Sequence, residues 1–151
     1  MAIGLSKGPG TGAQAPSQPA DLEGFRSSLA NRVFDGYCPA SQFQALLAEA
    51  TSAFGLDKSL AAATLAIELE RMGVANEPLL LREMEAMLRQ FTDKDKKLDA
   101  KERVDLVQLF CKPKAGYSKG LSINIAQEFI VDFCRQNRVK VKVGLLKWAV
   151  P

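Results

Sequence analysis

INIAQEFIVDFCRQNRVKVKV, residues 123–143, contains the change of period on which the reading of the fold turns. In its first part Ile123, Ala126, Ile130, Phe133 and Cys134 recur at the spacing of one helix face, while Asn124, Glu128 and Arg135 form an outer row. Ser122 stands where that helix would be capped. After Asn137 the period drops to two: Val139, Val141 and Val143 alternate with Arg138, Lys140 and Lys142, as in a half-buried strand. A strand cannot satisfy its own backbone donors and acceptors, and a lone hairpin is marginal in water. Three neighbours would serve: residues 145–150 folded back as a hairpin, the same strand of a second chain in a homodimer, or an added peptide.

Everything upstream keeps the helical period. Asp21 caps a first helix with Leu22, Phe25, Leu29 and Val33 on one face, ended by Gly36. A second, Ser41 to Phe54, carries Phe43, Leu46, Leu47 and Ala50, with Gly55 in the place of a left-handed C-cap. Asp57 caps a third that runs to Met72 with the stripe Leu65, Leu69, Met72. Asn76 and Pro78 open a fourth with Leu80, Met84, Met87, Leu88 and Phe91. A charged loop, Thr92 to Leu98, leads to a fifth helix that starts on the capping box Asp99 and Glu102 and buries Val104, Leu106, Val107 and Phe110. The expected class is all-α: a compact bundle of about six helices with a short C-terminal β-strand or hairpin, one domain over 21–151. Residues 1–20 are rich in Gly, Pro, Ser, Ala and Gln without an acidic side chain, the composition of a disordered arm. That composition resembles the N-terminal export signals of bacterial type III secretion substrates, which implies secretion of the chain by such a system.

Composition narrows the chemistry. The 151 residues are 47% hydrophobic and 25% charged, an ordinary profile for one globular domain. There is no histidine, which excludes Ser-His-Asp and Cys-His arrangements and imidazole-bound zinc, so an enzyme is not expected. Cys38, Cys111 and Cys134 are odd in number and lack CxxC spacing, which predicts reduced thiols and a cytoplasmic chain, with Cys111 and Cys134 buried. No apolar run has the length of a membrane span, and no membrane partner is expected.

Three local patterns touch known chemistry. GYSKG, residues 116–120, has the GxSxG spacing of a nucleophile elbow but no histidine to serve it, and reads as a basic turn-rich loop. CPAS, residues 38–41, resembles the single-thiol motif of glutaredoxins, while the alternative is a helix started at Pro39 beside a partly exposed thiol. FTDKDKKLDAKE, residues 91–102, lies between two amphipathic helices, and over 79–111 the chain resembles a degenerate EF-hand. That resemblance implies calcium held by Asp93, Asp95, Asp99 and Glu102. The family's turn glycine is replaced by Lys96, its first ligand by Phe91, and Lys94, Lys96, Lys97 and Lys101 oppose a cation. The same residues equally make a helix cap and a solvated turn, with no cofactor.

Charge is unevenly placed. Residues 21–110 hold eleven basic and fifteen acidic side chains, residues 111–151 eight basic and two acidic. The basic end, Lys112, Lys114, Lys119, Arg135, Arg138, Lys140, Lys142 and Lys147 with Trp148, is the expected binding face for an acidic protein partner. Nucleic acid is the alternative partner, since a helix followed by a basic hairpin resembles the outline of a winged helix; the nine-residue loop before that helix departs from it.

Overall fold

A computed structural model describes residues 19–151. The expected arm, apart from Pro19 and Ala20, and the export-signal resemblance lie outside the described residues. Six helices carry the fold: α1 Leu22–Ala30, α2 Ala40–Phe54, α3 Lys58–Arg71, α4 Glu77–Thr92, α5 Ala100–Cys111 and α6 Ile123–Asn137. Five short strands join them: β1 Tyr37–Cys38, β2 Ala75–Asn76, β3 Lys97–Leu98, β4 Lys140–Lys142 and β5 Trp148–Ala149. No helix among the described residues is long and apolar enough to cross a membrane.

Local chemistry sets the helix ends. Asp21, Asp57 and Asn76 accept backbone N–H groups three residues on, and Gly55 closes α2 at φ 62°. Both halves of the Asp99–Glu102 capping box are present on α5. Ser122 occupies the N-cap of α6 without a side-chain bond.

Several expected core positions face water instead. Val33 is 90% exposed, because α1 stops at Ala30 and the turn through Asp35 and Gly36 buries Phe34 in its place. Val104 and Ile123 sit on outer faces of α5 and α6, Phe91 is exposed near the end of α4, and Val143 lies beyond the end of β4. Cys111 is half-buried, whereas Cys38 is buried rather than partly exposed.

The chain order helix–strand–helix–helix–strand occurs twice, as α1–β1–α2–α3–β2 and again as α4–β3–α5–α6–β4. In both passes the two strands pair in parallel, Tyr37 with Ala75 and Lys97 with Lys140. Each strand is approached through a residue of positive φ: Gly36, Gly73, Lys96 and Arg138. Each pass has its own apolar cluster. The first centres on Phe25, Leu29, Leu46, Leu65 and Leu69, the second on Met84, Leu88, Leu98, Leu106, Ile130 and Val139. The neighbours Val74 and Ala75 fall one in each. The loop after α5 reaches back over the first pass: Lys119 pairs with Asp35 at 3.0 Å, and a Cβ on Gly73 would come within 2.4 Å of the Gly116 carbonyl oxygen. Only glycine fits there.

Beyond the second pass the chain folds back, so that β5 pairs antiparallel with β4, Val141 opposite Ala149 and Lys142 opposite Trp148. Strand β4 is thus central, with β3 on its other side. Of the three neighbours open to it, this chain supplies the hairpin, and β3 takes the remaining edge. A second copy pairing through the C-terminal strands would have to use β5.

Candidate functional site

Side chains directly opposite each other on paired strands share a face. Lys97 opposite Lys140, and Lys142 opposite Trp148, therefore project from one side of the small sheet, while Leu98 and Val141 project into the core. The Lys97 ammonium lies 5.2 Å from the centroid of the Trp148 ring, a cation–π contact on that outer face. Arg138 precedes β4 in the left-handed region, and Lys147 precedes β5.

The eight cations of the expected face divide into two groups. Lys114 pairs with Glu83 at 3.2 Å, Lys119 with Asp35, and Arg135 with Asp132 at 3.8 Å while also donating to the Pro151 carbonyl. Their charge is already answered within the fold. Among the described residues Lys112, Arg138, Lys140, Lys142 and Lys147 have no carboxylate at ion-pair distance, and nor has Lys97. Lys112 lies apart, at the groove between α4 and the loop after α5. The site that the structure assembles is the sheet face Lys97, Lys140, Lys142 and Trp148, flanked by Arg138 and Lys147. The sequence presents Lys97 only as a charge opposing calcium, because nothing local in it announces a parallel pairing across more than forty residues.

The four carboxylates of the EF-hand resemblance do not converge. Asp93 lies 3.9 Å from Lys96, Asp95 accepts the Lys97 N–H, and Asp99 and Glu102 are spent on capping α5. Among the described residues no three His, Cys, Asp or Glu side chains are placed to hold a metal ion, and the residues present do not fit calcium.

A buried polar cluster went unseen in the sequence. The Tyr37 hydroxyl donates to the carboxylate of Glu77 at the start of α4, and the same carboxylate accepts the Ala40 N–H at the start of α2. Burial, then the bond to Glu77, pushes the Tyr37 phenol well above its ordinary range. Burial and the nearby Glu77 charge push the Cys38 thiol up to about 11, the opposite of the low-pKa thiolate that a glutaredoxin-like motif needs. Burial raises the Cys111 and Cys134 thiols as well. The cluster staples the two helix starts together.

Two of the surface grooves border α5. One, of about 410 Å³, lies between α4 and the loop after α5 and mixes Leu79 and Leu109 with Glu70, Lys112 and Tyr117. The other, about 510 Å³, is the valley between α5 and α6 lined by Val104, Val107 and Val131. No protein-family model matches the chain, and neither a curated protein nor a solved structure matches it.

Proposed function

We propose that the protein is a non-enzymatic helical interaction module of the cytoplasm that binds an acidic protein partner through the outer face of its C-terminal sheet. One observation carries the reading: Lys97, Lys140 and Lys142 share a sheet face with Trp148, with Arg138 and Lys147 at hand, and among the described residues none has a carboxylate at ion-pair distance. Like charges placed opposite each other on a sheet are destabilising. An acidic partner relieves that repulsion, and Trp148 supplies an amphipathic surface of the kind that interface hot spots use. Each exposed ion pair adds only about 0–1 kcal/mol. The contact would thus be transient and salt-sensitive. The free thiols Cys38, Cys111 and Cys134 support a reducing compartment.

The position of Trp148 favours a second reading, a single-stranded nucleic acid stacked on the ring with its phosphates on the lysines. A winged-helix mode is less favoured, since the outer row of α6 holds Glu128 and Asp132, which would repel a duplex backbone.

The test uses the full chain and its Lys140→Glu, Lys142→Glu variant as baits in extract of the native host, with and without nuclease. Acidic proteins retained by the wild type and lost from the variant support the first reading. Retention that vanishes with nuclease, together with a mobility shift of single-stranded DNA or RNA at low salt, would move the assignment to nucleic acid.

A further inference from the structure

The hairpin ends in a feature that the acidic-partner reading does not use. Leu145 and Leu146 are 93% and 94% exposed at the tip between β4 and β5, and a Cβ on Gly144 would meet nothing within 4 Å. The last rung of the hairpin is the bond from the Val143 N–H to the Lys147 carbonyl, 2.8 Å, so the leucines stand beyond all pairing. Lys142 and Lys147 flank them, and from Phe133 to Pro151 the chain has five basic residues and no acidic one. We infer that this tip is a contact for an anionic lipid surface, with Leu145 and Leu146 entering the interface and Lys142 and Lys147 held at the phosphates.

The geometry favours lipid over a protein pocket. Two consecutive side chains on a convex turn diverge and form no common face, so a protein would need a separate cleft for each. The apolar side of a bilayer interface accepts both without shape matching. At about 3.3 Å per residue the tip reaches roughly 5–7 Å past the last rung, near the burial depth of interfacial segments of about 5–10 Å. The turn's unpaired backbone groups would then stay in the hydrated headgroup layer, as they must. Trp148, the sole tryptophan, opens β5 two residues after Leu146, and indole rings favour that layer. The valley between α5 and α6 is also apolar, but nothing there selects an occupant by charge. A lipid contact of this kind needs no membrane span.

The experiment is sedimentation of the full chain with vesicles of phosphatidylserine and phosphatidylcholine, or of phosphatidylcholine alone, while Trp148 emission is followed. Binding to the mixed vesicles only, with a blue shift of Trp148, is expected. Leu145→Ser with Leu146→Ser should weaken binding about a hundredfold or more and abolish the shift, and Lys142→Gln or Lys147→Gln should each weaken it about fivefold. Circular dichroism should not change, since neither leucine packs in the fold. No binding to the mixed vesicles overturns the proposal. So does binding that the serine variant retains in full without a Trp148 shift, because that is adsorption by charge alone. Immobilised polyglutamate separates the two readings: retention there without vesicle binding removes the lipid tip only, and vesicle binding without retention removes the acidic-partner reading only.

Discussion

Lys96 and Arg138 take φ values of 54° and 55° at strand entrances where the first pass uses Gly36 and Gly73. A left-handed conformation costs an L-residue about 1–2 kcal/mol, against the 0.5–1 kcal/mol or so that glycine adds in chain entropy. Lys96→Gly should therefore raise stability by about 0.5–1 kcal/mol, read as a higher urea midpoint at unchanged slope. The buried thiol of Cys38 sets a pH limit. The unfolded chain releases this proton near pH 9 and the folded chain near 11, so the folded state holds more protons between them. The thiol's contribution to stability is complete below pH 9 and is lost as pH rises toward 11, and Tyr37 acts in the same direction from about pH 10 upward. Denaturant midpoints should fall across that window and stay flat near neutrality. Cys38→Ala should make the fall shallower.

At the scale of elements, caps and edges matter most. Asp99 and Glu102 satisfy each other's backbone N–H groups, so Asp99→Ala or Glu102→Ala should cost about 0.5–2 kcal/mol. Calcium and chelator should leave the melting temperature of wild type and variants alike unmoved, whereas a true site would raise it by mass action. The hairpin is not an appendage. Val139 and Val141 belong to the second core cluster, against Leu98, and β4 is the middle strand of three. Truncation after Asn137, which the alternating pattern alone would treat as harmless to the helical body, should remove two buried valines at about 1.5–3 kcal/mol each and strip β3 of its partner. A lowered thermal midpoint with loss of helical circular dichroism would show this; an unchanged thermal transition would refute it.

At the scale of the whole molecule, the two apolar clusters meet at Val74 and Ala75 and are bound by the loop that carries Gly116 and Lys119. One cooperative transition is expected. Leu69→Ala in the first cluster and Ile130→Ala in the second should each cost about 2–5 kcal/mol and lower that single transition, with calorimetric and van't Hoff enthalpies in agreement. Two resolved transitions would make the passes independent. The six helices, the N-caps Asp21, Asp57 and Asn76, the capping box of α5 and the terminal strand are legible in the sequence, because periodicity and these caps are written within a few residues of one another, whereas α1 ends at Ala30 well before Gly36 and Ser122 makes no capping bond. The sequence also located the excess of positive charge. Only the tertiary structure decided that β1, β2 and β3 exist, since a two-residue strand has no period to read and is defined by a partner forty or so residues away. The same long-range pairing brought Lys97 beside Lys140, while ion pairs to Glu83, Asp35 and Asp132 withdrew Lys114, Lys119 and Arg135 from the binding face. Local sequence sets what each segment can form; which charges remain unanswered depends on contacts between segments, and those are fixed only when the chain is folded.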